Sequence, residues 1–182
     1  MPYSRDHSDP ITIGHVDLVR RALPLFDKII VAVGINSTKK YLFEHDQRMK
    51  WLHQVFDKYP NVGVDSFTNL TAHYCKKIGA NYLLRGLRNA SDFDYEKTIS
   101  QLNHIVGDGI ETVFLIAQPE FSHISSTIVR EIIIGGADAT PLSLMKLASG
   151  VLQVGTLKLN RAGSVPNIHF CTKGATTLGF RR

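Results

Sequence analysis

Four short blocks of this 182-residue chain carry the residue types that handle phosphate: TIGH (12–15), NSTKK (36–40), RGLR (85–88) and ISSTIVR (124–130). Together they supply four cations (Lys39, Lys40, Arg85, Arg88), the imidazole of His15 and the hydroxyls of Ser125, Ser126 and Thr127. Gly14 lets backbone approach a ligand, because no side chain stands in the way. Cations, hydroxyls and helix-start N–H groups in combination describe a polyphosphate site. The sequence shows no paired carboxylates, no Ser–His–Asp arrangement and no metal-ligand spacing. Each block also has a plainer reading. Gly14-His15 can be a turn before a helix, Ser125–Thr127 a helix cap, Lys39-Lys40 a solvated loop, and Arg85 and Arg88 partners in surface ion pairs.

The elements that must position these blocks alternate. Apolar residues at helical spacing run from Val16 to Leu25, then Asp46 to Lys58, Leu70 to Ile78, Phe93 to Val106 and Ser125 to Ile134. Between them lie short apolar, β-branched runs: KIIVAVGIN, NVGVDSF (61–67), ANYLLRGL (80–87) and ETVFLIA (111–117). Strands alternating with helices predict an α/β fold with a doubly wound parallel sheet. Ligands of such sheets bind beyond the carboxyl ends of the strands. Three of the four blocks follow a predicted strand there, and TIGH opens the first helix, so all four fall at one edge.

Composition narrows the class. The net charge of +5 divides unevenly: fifteen Lys and Arg against sixteen Asp and Glu over residues 1–138, then six against none over 139–182. The basic balance belongs to the C-terminal segment, so the main body is not expected to bind nucleic acid. No run of about 18 apolar residues suggests a membrane span, and no signal pattern opens the chain. Cys75 and Cys171 form no metal or redox spacing. They are expected as small buried hydrophobes in a reduced, cytoplasmic setting.

The four blocks in this order, with DPITIGHVDLV, LFDKIIVAV, RGLRNASDFDYE and ISSTIVRE around them, resemble the TxGH nucleotidyltransferases, most closely the bacterial phosphopantetheine adenylyltransferase family. The resemblance runs from about Ser8 to Asp138. It implies a single Rossmann-like nucleotidyltransferase domain over residues 1–142, with residues 1–7 atypical and 143–182 a basic extension. It implies transfer of an adenylyl group from ATP to 4′-phosphopantetheine, giving dephospho-coenzyme A and pyrophosphate, with Mg²⁺ carried by ATP and no metal site in the protein. His15, Lys39 and Arg88 would be catalytic. The ATP site would comprise Ser8, Gly14, His15, Gly86, Leu87, Arg88, Glu96 and the segment Phe121, Ser122, His123, Ile124, Ser125, Ser126 and Thr127. The second substrate would meet His7, Lys39, Leu70, Thr71, Arg85 and Asn103. A homo-hexamer in the cytoplasm is implied as well.

Both ends depart from the family pattern. Where the family has an apolar strand leading into G-[ST]-F-D-P, this chain has MPYSRDHSDP, so His7 replaces the hydroxyl residue. The missing strand would be central in the sheet, and each apolar side chain it buried would contribute roughly 1.5–3 kcal/mol. The alternative reading is therefore a nucleotide-binding protein of this fold, impaired in catalysis by that loss. From about Ser143 onward the family pattern ends. VLQVGTLKLN (151–160) alternates enough for an added strand, and the basic tail could instead serve as a nucleic-acid-binding module. A reading frame or gene boundary that differs at each terminus would account for both departures.

Overall fold

The computed structural model of the protein describes residues 9–35, 41–143 and 168–173. Within them the order is α1 (Ile13–Ala22), β1 (Lys28–Gly34), α2 (His45–Phe56), β2 (Val62–Phe67), α3 (Thr71–Ile78), β3 (Tyr82–Leu87), α4 (Ala90–Val106), β4 (Glu111–Ile116), α5 (Ser126–Ile134) and β5 (Ile168–Lys173). Short 3-10 turns lie at Leu23–Leu25 and Pro119–Phe121. The strands form one sheet in the order β2-β1-β5-β3-β4.

The β-branched run of β1 explains its place beside the sheet's centre. Successive strand residues face opposite sides. Ile29, Val31 and Val33 therefore join a layer with Leu18, Val19 and Ala22 of α1 and Trp51, Leu52, Val55 and Phe56 of α2. On the other side Ala32 packs with Phe67, Tyr74, Cys75, Leu83 and Ile110. α3 stops at Gly79, whose φ of 65° is the left-handed conformation that favours glycine. Its N–H bonds the Lys76 carbonyl, and the Ala80 N–H bonds that of Cys75.

The α/β, Rossmann-like class expected from the alternation is the one the chain forms, with one correction. The sheet is mixed, not wholly parallel. β1 pairs parallel with β2, and β3 with β4. β5 runs antiparallel to both β1 and β3 and sits between them. The central position that the sequence reading leaves without a strand is filled from the C-terminal segment. β5 serves both layers by the same alternation: Phe170 joins the α1–α2 layer and Cys171 the α3 layer. Cys75 and Cys171 are both free and buried. The strand candidate at 151–160 lies outside the described residues, as do residues 1–8.

The carboxyl ends of β1, β3 and β4 lie at one edge of the sheet. β5 starts at that edge, because its first residue, Ile168, pairs with Val33 near the end of β1.

Candidate active site

A cavity opens at this edge, lined by Thr12, Gly14, His15, Asp17, Leu18 and Arg21 along one side of α1 and its cap, and by Arg85, Gly86 and Arg88 at the end of β3. Glu96 of α4, Ala117, Phe121, Ile124, Ser125, Ser126 and Phe170 of β5 complete it. Two helix N-termini, those of α1 and α5, meet here.

His15 stands at the third position of α1, and its ring is held by the residue that caps the helix. The Thr12 N–H donates to His15 Nδ1 at 3.0 Å, and the Thr12 hydroxyl lies 2.8 Å from the same nitrogen. This is a capping-box arrangement with an imidazole in the place usually taken by Glu or Gln. Because Nδ1 accepts from a backbone N–H, the ring proton resides on Nε2. The fold thus presents His15 as an Nε2–H donor. The packing of the fold does not itself require a glycine at position 14. A Cβ there would meet Phe121 and Thr12 no closer than 3.7 Å, which is ordinary contact.

Arg85 and Arg88 are both steered by carboxylates from α4. Arg85 is buried, and its Nε lies 3.1 Å from Oε2 of buried Glu96. Arg88 donates from Nε to Asp92 Oδ2 at 2.9 Å and from a terminal nitrogen to Oδ1 at 3.3 Å. The Arg88 backbone N–H also donates to Oδ2, at 3.2 Å. Asp92 is fixed in turn, because its N–H donates to the side chain of Asn89, the cap of α4, at 2.9 Å. The sequence reading missed Asp92. Its signal was the i,i+4 spacing from Arg88 at a helix start.

The hydroxyls of α5 are partly engaged within the fold. Ser125 caps the helix, accepting from the Ile128 N–H at 3.2 Å. Ser126, buried, donates to the Pro10 carbonyl at 2.8 Å. Thr127 accepts from Arg130, which also donates to the Asp9 carbonyl at 2.8 Å. These bonds tie α5 to the loop before α1. They leave the Ser126 and Thr127 N–H groups in the first turn of α5 as its contribution to an anion.

Asp9 is fully buried and accepts from the N–H groups of Leu42 (2.7 Å) and Phe43 (3.3 Å). Burial raises its pKa above the usual carboxylate range. Those two N–H bonds and the charges of Arg48 and Arg130 oppose the rise without cancelling it.

Of the residues expected at the site, Gly14, His15, Arg85, Gly86, Arg88, Glu96, Phe121, Ile124, Ser125 and Ser126 line one cavity. Leu87 is buried beside it, and Ser122, His123 and Thr127 flank it without lining it. Leu70 and Thr71 at the start of α3, and Asn103 on α4, stand apart from that lining. His7, Ser8 and Lys39 lie outside the described residues. Asp17, Arg21 and Phe170 were not expected there. Arg21 bonds the Ile116 carbonyl at 2.7 Å and lies 3.5 Å from Asp17, so it braces α1 against the end of β4. Among the described residues no group of three or more His, Cys, Asp or Glu side chains is placed to hold a metal ion.

Comparison with known proteins identifies the family. The family model described as cytidylyltransferase-like matches residues 8–132. A protein named phosphopantetheine adenylyltransferase from Flavobacterium psychrophilum is 46% identical over 134 residues, 74% of this chain and 88% of its own length. Proteins of the same name from Cytophaga hutchinsonii and Leptospira biflexa are each 48% identical over 124 residues, 68% of this chain, covering 83% and 78% of their own lengths. The chain belongs to the phosphopantetheine adenylyltransferase family. The matched model holds α1, α5 and the ends of β1, β3 and β4, and so most of the cavity. β5 lies beyond it.

Proposed function

We propose that the chain transfers the adenylyl group of ATP to 4′-phosphopantetheine, giving dephospho-coenzyme A and pyrophosphate. A phosphate oxygen of the acceptor attacks the α-phosphorus, the bond from that phosphorus to the bridging oxygen breaks, and pyrophosphate leaves with the electron pair. The attacking group is already an anion, so no general base is needed, and charge stabilisation and positioning can carry the catalysis. The cavity meets that demand with donors and cations, and its carboxylates, Asp17 and Glu96, lie against Arg21 and Arg85.

The observation that carries this reading is the Thr12 N–H bond to His15 Nδ1 at the mouth of α1, which leaves Nε2 as the donor. Its Nε2–H donates to the phosphate oxygens as charge develops on them. Arg88, steered by Asp92, and the first-turn N–H groups of α5 take the β- and γ-phosphates. Arg85, steered by Glu96, takes the acceptor's phosphate, with Lys39 as a second cation. Gly86 lines the same cavity, with Leu18 packed against it. Magnesium arrives with ATP as part of the substrate. The test is pyrophosphate release from MgATP and 4′-phosphopantetheine by wild type and His15→Ala. Loss of one such donor lowers kcat by about 10²–10³-fold. A variant that keeps wild-type kcat sinks the assignment of His15.

The same reading includes self-association into a hexamer in the cytoplasm. No helix among the described residues is long and apolar enough to cross a membrane. Support for self-association comes from α4, which leaves Leu102, Ile105 and Val106 exposed along one face.

A further inference from the structure

We propose that β5, the strand contributed by the C-terminal segment, is a working wall of the ATP site, and that Phe170 is a binding residue that sets the depth of the cavity. The proposal rests on the reading of this cavity as the ATP site.

The sheet register carries the argument. β5 pairs with β1 along its whole length, from Lys173 opposite Lys28 to Ile168 opposite Val33. With β3 it pairs only from Thr172 opposite Tyr82 to Phe170 opposite Leu84. The β3–β5 ladder therefore ends at Phe170, while β3 continues through Arg85, Gly86 and Leu87. A fork opens in the sheet at that point, and Arg85 and Gly86 are the cavity-lining residues on its β3 side. Phe170 sits at its base and lines the cavity. Its ring is 4% exposed and belongs to the apolar layer formed with Leu18 and Val31.

A strand that paired fully with β3 would close this fork. The antiparallel insertion leaves it open and places an aromatic ring at its floor. Aromatic rings offer a large rigid apolar surface at small entropic cost. Beside Gly86 and the Leu18 side chain packed on it, such a ring suits a flat nucleotide better than an extended ionic group. Binding and strand docking are then thermodynamically linked: if β5 raises the affinity for ATP, ATP holds β5 in the sheet to the same degree.

The experiment has two readouts on the full chain. The first is calorimetric ATP binding by wild type, Phe170→Leu and Thr172→Val. Thr172 lies on the same strand and face, away from the cavity, and donates to the Tyr82 carbonyl at 3.4 Å. The expected result is an ATP affinity weakened by about fivefold or more in Phe170→Leu, on the order of one RT ln 5 step, and unchanged in Thr172→Val. The second is amide hydrogen exchange of wild type with and without ATP. Exchange across residues 168–173 should slow more than across β2, which lies at the far edge of the sheet. Wild-type affinity in a folded Phe170→Leu overturns the proposal. So does ATP binding that leaves exchange across 168–173 no slower than across β2, a result that does not depend on any variant folding. Wild type that binds no ATP overturns both this proposal and the functional reading beneath it.

Discussion

At the scale of single residues, the site is a set of charged groups each held by a neighbour. His15 is oriented by Thr12, Arg85 by Glu96 and Arg88 by Asp92. The motif residues were legible because their types and order speak of phosphate. Their holders were less so, since Asp92 and Thr12 look like ordinary helix-start residues until the bonds are seen. Asp9 shows what burial adds. Its carboxylate meets the Leu42 and Phe43 N–H groups, with Arg48 and Arg130 near, yet desolvation wins and its pKa is raised. The folded state therefore takes up this proton more readily than the unfolded state. Asp9 by itself favours folding increasingly as pH falls from neutrality toward the unfolded value near 3.8. Asp9→Asn removes that contribution. In melting curves taken across this range, the stability gap between wild type and Asp9→Asn should shift toward wild type as pH falls. A gap that stays constant contradicts the assignment.

At the scale of elements, periodicity located the five α-helices among the described residues and the four strands β1 to β4, because each carries its apolar stripe within a short window. β5 was not legible. Its six residues, IHFCTK, mix polar and apolar types, and they derive their place from both neighbouring strands and not from any local pattern. The hydroxyls of Ser125 and Ser126 illustrate the converse. The plain reading as a cap applies to Ser125, which accepts from the Ile128 N–H, and both residues also line the cavity. The place of β5 has a consequence for stability. Phe170, Cys171 and Thr172 are all buried. Removing residues 168–182 exposes the facing edges of β1 and β3 and deletes a Phe side chain alone worth roughly 1.5–3 kcal/mol. Typical net stability is about 5–15 kcal/mol. The truncated chain should lose its cooperative thermal transition by circular dichroism. A truncated chain that melts like wild type would show that β5 is dispensable.

At the scale of the whole molecule, the chain combines a family core spanning residues 8–132 with a C-terminal strand that this core's pattern does not foretell. Charge tells a similar story, because the basic surplus lies in residues 139–182 while residues 1–138 carry nearly equal numbers of acids and bases. The exposed face of α4 belongs to this scale too. Ile105 is 74% exposed, and Leu102 and Val106 lie beside it on the helix surface. Ile105→Glu should lower the mass seen by light scattering to that of one chain while leaving the circular dichroism spectrum unchanged. A wild type that is monomeric at micromolar concentration contradicts self-association through this face.

The central claim is the reaction itself, and the product tests it most directly. Wild-type protein is incubated with MgATP and 4′-phosphopantetheine, and the acceptor is followed by mass spectrometry. The account predicts that the acceptor gains one adenylyl group as pyrophosphate appears in equal amount, and that both signals collapse together in His15→Ala. An acceptor left unmodified by folded, ATP-binding protein would contradict it.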